Sequence, residues 1–108
     1  MRVPSVRFLR EQDGAPERSL KSRLIEAFAH YPDVRAAYLA QIRAGNAVGV
    51  ALCINNVSGV DRDLAQQVGA IFASMFGAHE HLDILFLDAE QEASLQSVCS
   101  RFFTRSDR

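Results

Sequence analysis

An α+β domain of the split βαβ type is what this sequence predicts, in the order β-α-β-β-α-β with a further helix at its C-terminal end. Three observations carry that reading. Two runs of alternating apolar residues stand back to back across the short turn Ala44-Gly45-Asn46-Ala47. Two helical stripes, one around Leu24 and one around Val68, each lie between strand-like runs, and a last amphipathic stretch follows the final strand. The implied sheet is four-stranded and antiparallel, with the first two helices on one face. The 108 residues, with 12 basic against 13 acidic side chains and 48% apolar content, are enough for one self-sufficient core over 1–108.

Taken in order, Val6-Arg7-Phe8-Leu9 reads as a short first strand, and Glu11 to Pro16 as a turn-rich connector. Pro16 and Glu17 open a helix, because proline loses nothing in a first turn whose N–H groups have no helical partner. Leu20, Leu24, Ile25 and Phe28 form its apolar stripe, and Pro32 stops it. From Val34 to Arg43 the pattern switches to period two, which is a strand. Gly45 and Asn46 can take positive φ, so the turn folds the chain back into a second strand from Val48 to Ile54. After the loop 55–60, Asp61 is placed as an N-cap, and Leu64, Val68, Ile71, Phe72, Met75 and Phe76 recur at helical steps up to Gly77. Leu82 to Leu87 is the last strand. Asp88 with Gln91 three residues on is a capping-box start for a helix showing Leu95, Val98, Cys99, Phe102 and Phe103 on one side.

Alternation assigns Val34, Ala36, Tyr38, Val48, Val50, Leu52, Leu82, Ile84 and Phe86 to the helix-covered face. The opposite face then holds Ala37, Leu39, Ala51, Cys53, Leu85 and Leu87, too apolar for water alone. The last helix, a second subunit or another domain is expected to cover it. With Arg35 and Arg43 as a polar rim, Ala37, Leu39, Ala51, Leu85 and Leu87 form the candidate interaction face, through which the domain would dock on a protein partner or self-associate as a homodimer.

Little in the chain points to catalysis. The near-neutral charge lacks the basic excess of a nucleic-acid binder, and no apolar run approaches the roughly 20 residues of a membrane-spanning helix. The N-terminus has no apolar core of signal-peptide length, so cytoplasmic residence is expected. Cys53 and Cys99 sit in apolar patterns and read as buried thiols. Eleven of the twelve basic residues are arginine, scattered rather than blocked, with Lys21 the single lysine. No glycine-rich phosphate loop, dinucleotide fingerprint or nucleophile elbow is present, and no cofactor is expected. His79, Glu80 and His81 with Asp83 have a metal-like composition, but a turn between helix and strand explains them as well. His30 suits a helix C-terminus, where the dipole favours it.

The run Pro32-Asp33-Val34-Arg35-Ala36-Ala37-Tyr38-Leu39 resembles the C-terminal domain of the SseB family, the enhanced serine sensitivity proteins. The likeness continues through Gly49-Val50-Ala51-Leu52, the helix from Asp61 to Phe76, Asp83-Ile84-Leu85-Phe86 and Phe102-Phe103, or about residues 16–104. It implies a bacterial module linked to serine sensitivity, without catalytic residues to carry over. Members of the family carry a larger domain ahead of this one, so the chain is expected to be a stand-alone version or a piece of a longer protein. The expected function is therefore non-enzymatic protein interaction or regulation. An amino-acid-sensing domain is the alternative, and a metal-dependent enzyme using His79, His81 and Asp83 the second.

Overall fold

The computed structural model describes residues 6–77 and 80–105. Eight elements follow one another: β1 (Val6–Glu11), α1 (Ala15–Phe28), β2 (Val34–Ala44), β3 (Ala47–Asn56), α2 (Arg62–Phe76), β4 (Asp83–Phe86), α3 (Ala89–Gln96) and β5 (Phe103–Thr104). The local signals act as their chemistry dictates. Pro16 sits in the first turn of α1, and Ala44 pairs with Ala47 across a two-residue turn in which Gly45 alone takes positive φ, +61°. The Asp61 side chain accepts the Leu64 N–H at 3.1 Å, and Gly77 closes α2 at φ +87°. Asp88 and Gln91 exchange both capping-box hydrogen bonds, at 2.8 and 2.9 Å.

The fold is α+β, but its sheet is mixed rather than antiparallel throughout. The strand order is β1-β2-β3-β4, with β5 pairing β2 on the same side as β1. The β1–β2, β2–β3 and β2–β5 pairs are antiparallel, whereas β3 and β4 run parallel. A split βαβ sheet would seat β1 beside β3. Here β1 lies beside β2, which leaves the outer side of β3 to β4, and the α2 crossover delivers β4 in the same direction as β3.

Two cores result, one on each face. Under α1 and α2, Leu20, Leu24, Phe28, Leu64 and Val68 close over Val34, Ala37, Leu39, Leu52 and Ile54. On the other face Ala36, Tyr38, Ala40, Ile42, Ala51 and Cys53 pack with Leu95 and Cys99. The sequence-based faces hold for β4 and for β3 from Val50 onward, Val48 being exposed beside the hairpin turn, and are exchanged for most of β2. The cause is a bulge: Val34 pairs Asn56 and Ala36 already pairs Asn55, so Arg35 is an extra residue. One inserted residue shifts the period-two pattern by one and turns every later side chain over. Val34 therefore stays under α1, Ala36 and Tyr38 move to the opposite face, and Ala37 and Leu39 become core.

The last helix is also shorter than its apolar pattern implied. It ends at Gln96, and the chain then passes round the edge of β2. Phe102 and Phe103 leave the helix and join the α1 core, with ring centroids 6.4 and 5.1 Å from that of Phe28. Arg105 fastens this return. Its guanidinium donates to the carbonyls of Val34 at 2.9 Å and Phe28 at 2.7 Å, and it lies 5.4 Å from the Phe103 ring centroid.

Candidate functional site

The residues expected to form one interaction face do not lie together. Ala37 and Leu39 are buried under α1, at 0% and 1% exposure, and Ala51 is buried on the opposite face. Leu85 and Leu87 are half-buried beside Ala51 on that second face. Arg35 is the half-buried bulged residue, and Arg43 is exposed near the hairpin turn. The apolar second face is covered by α3, through Leu95 and the following Cys99. A hydrogen-bonded clasp holds α3 there: the Tyr38 hydroxyl donates to Glu92 Oε2 at 2.7 Å and accepts from Gln96 Nε2 at 3.0 Å, while Asn55 donates to Glu92 Oε1 at 2.8 Å.

What α3 does not close is the outer edge of β4. Among the described residues β4 has a strand partner on one side only. The Leu87 N–H donates to the Ile54 carbonyl at 2.8 Å, so residues of that parity turn their backbone groups toward β3. By strand alternation Ile84 and Phe86 turn theirs outward, offering two donors and two acceptors to a further strand. Every residue of β4 is half-buried, with Ile84 and Phe86 packing toward α2 and Leu85 toward α3. After Asp83 the strand carries no charge. The opposite edge is guarded differently: β1 has exposed Arg7 and Arg10 and a register shift between Phe8 and Arg10. Charge and bulging both discourage edge pairing; β4 has no bulge, and its charge is confined to Asp83 at its first residue.

The charge distribution is segregated along the chain. From Asp63 to Ser100 there is no lysine or arginine, while Asp63, Glu80, Asp83, Asp88, Glu90 and Glu92 all fall there. This segment supplies nearly all of α2, β4 and α3, so the β4 side of the sheet is acidic. Near the start of β4 a cleft of about 180 Å³ opens between α1 and α2. Its floor is apolar, from Leu20, Leu39, Val50, Phe72 and Phe76, and its rim is Gln12, Glu17, Glu80 and His81. Among the described residues no arginine or lysine lines it, and His81 is turned to Asp83 at 2.8 Å. The cleft thus offers a free amino acid's carboxylate no fixed cation.

The metal reading finds two of its members, His81 and Asp83, in contact, while His79 lies outside the described residues. Among the described residues no group of three or more His, Cys, Asp or Glu is gathered to hold a metal, and no helix is long and apolar enough to cross a membrane. Both cysteines are free and buried. Burial, reinforced by Cys99, pushes the Cys53 thiol up to about 12, and burial with the Glu11 charge pushes Cys99 up to about 11. Neither is a thiolate at neutral pH.

A mixed sheet with two helices on one face, one on the other and one apolar edge strand describes a small α+β domain. The chain belongs to the SseB protein C-terminal domain family, whose profile matches residues 9–105. Comparison with curated proteins and with solved structures gives no match. The free β4 edge is the feature that sequence reasoning missed. Leu85 and Leu87 were singled out for their faces, but which strand ends the sheet depends on pairing between distant segments.

Proposed function

We propose that this domain is a non-enzymatic protein-docking module that takes an extended segment of a partner protein onto the free edge of β4. The observation that carries this reading is the outward-facing backbone of Ile84 and Phe86 on a half-buried, apolar edge strand. Strand addition uses such groups for affinity and the flanking side chains for selection. Leu85 and Leu87 keep the part in binding first expected of them, as neighbours of the added strand, whereas Ala37, Leu39 and Ala51 support the sheet from within. An effect on serine sensitivity, which the family likeness implies, then acts through the partner.

The test uses a short synthetic peptide alternating valine and threonine and the same peptide with N-methyl groups on alternate amides. At about 1 mM, where even a weak complex of about −4 kcal/mol is half formed, the first peptide is expected to shift the Ile84 and Phe86 amide resonances and slow their hydrogen exchange. The N-methylated peptide should do neither. If the first peptide leaves these amides unchanged, the docking reading fails.

A further inference from the structure

We infer that the segment taken by β4 is basic at both of its ends, with an apolar alternating centre. This deepens the docking reading and rests on it. The edge strand itself is uncharged from Ile84 to Leu87, but acids stand beyond each end. Exposed Glu80 and half-buried Asp83 lie at its start, and exposed Asp88 and Glu90 lie just past its finish. No arginine or lysine falls between residues 63 and 100, and among these acids Asp83 is the one that His81 meets, at 2.8 Å. An added strand therefore meets apolar side chains in the middle and negative potential at both ends, whichever direction it runs. Lys or Arg at both flanks satisfies either direction, and acidic flanks are repelled in both.

A second copy of this chain fits the edge poorly. Two β4 strands pairing about a two-fold axis at Leu85 would set Asp83 opposite Leu87 and bring it beside Asp88 of the other copy, like charge against like charge. The chain's basic edge, β1, is a poor occupant because the register shift between Phe8 and Arg10 interrupts the regular run of backbone groups that strand addition needs. The occupant is therefore a basic-flanked extended segment of a different protein.

The experiment titrates the protein with three alternating valine–threonine peptides whose flanks are lysine, serine or glutamate. The lysine-flanked peptide is expected to bind at least about tenfold tighter than the glutamate-flanked one. The gap should narrow as salt approaches 1 M, where the screening length is about 3 Å. The double variant Asp83→Asn/Glu90→Gln should narrow it in the same way. Equal affinities for lysine and glutamate flanks overturn the charge inference and leave the docking reading standing. Failure of all three peptides to reach the Ile84 and Phe86 amides overturns both. A concentration-dependent dimer protecting those same amides overturns the choice of occupant.

Discussion

Lys21, the single lysine of the chain, is almost wholly inside it. Its side chain is 11% exposed and reaches Glu11 at 3.1 Å and Asp13 at 3.4 Å, with the Phe102 ring centroid 5.9 Å from its Nζ. It joins β1, the α1 lead-in and the C-terminal return at one point. Lys21→Met removes the charged partner of Glu11, leaving it only the Ser100 N–H at 3.3 Å, and is expected to cost about 1–3 kcal/mol, read as a lower urea midpoint. Asp13 gives this contact a pH signature. Burial works to raise its carboxyl, but the Lys21 hydrogen bond and charge, with Arg18 and the Gly14 backbone, outweigh it and hold the carboxyl below its ordinary value near 3.8. A carboxyl lowered by folding stabilises above its unfolded value and loses that contribution as pH falls through the folded one. Urea midpoints should therefore drop on acidification, and less steeply in Lys21→Met. The tyrosines give the opposite limb. Donation to Asp63, then burial and the Asp63 and Asp61 charges, push Tyr31 up to about 12, and burial with the Glu92 bond raises Tyr38. Phenolate absorbance should rise at higher pH than for free tyrosine, and Tyr31's stabilisation should fade between about pH 10 and 12.

At the scale of elements, α3 is the piece most dependent on its surroundings. Eight residues are too few for a helix to persist alone, and Leu95 is its only buried residue. The Asp88 cap starts it, and Tyr38 with Asn55 holds it to the sheet through Glu92. Asp88→Ala should cost about 1 kcal/mol, and Tyr38→Phe about 1–3 kcal/mol because Glu92 and Gln96 lose a shared partner. Hydrogen exchange distinguishes these from general destabilisation: α3 amides should lose protection before those of β2 and β3. The cap, the hairpin turn and the start of α2 were legible because each depends on residues within a few positions. The end of α3 was not, because Phe102 and Phe103 keep helical spacing while their partner, Phe28, is supplied by a distant helix. Similarly, the shielding of Cys53 and Cys99 comes from the second core, and both thiols should resist a thiol reagent until the protein unfolds.

For the whole molecule, the C-terminal return closes both cores together. Arg105 gathers carbonyls from Phe28 and Val34, so Arg105→Ala should lower global stability by about 1–3 kcal/mol, and Arg105→Lys should recover little without the planar fork. Leu39 separates core from surface in the same measurement. At 1% exposure under α1, Leu39→Ala should cost about 2–5 kcal/mol, as in other buried leucines. Were Leu39 a docking residue, the substitution would leave the unfolding midpoint near wild type.

The identity and order of the main elements were written in the sequence, because periodicity, caps and turns are properties of neighbouring residues. So was the apolar character of both sheet faces. Tertiary structure alone decided which face each β2 side chain takes, since the Arg35 bulge exists only in register with β3. It also decided that β4 lies parallel beside β3, which leaves a strand that is apolar after Asp83 as the free edge. Local chemistry can specify a strand, but only pairing across the chain determines which strand is last.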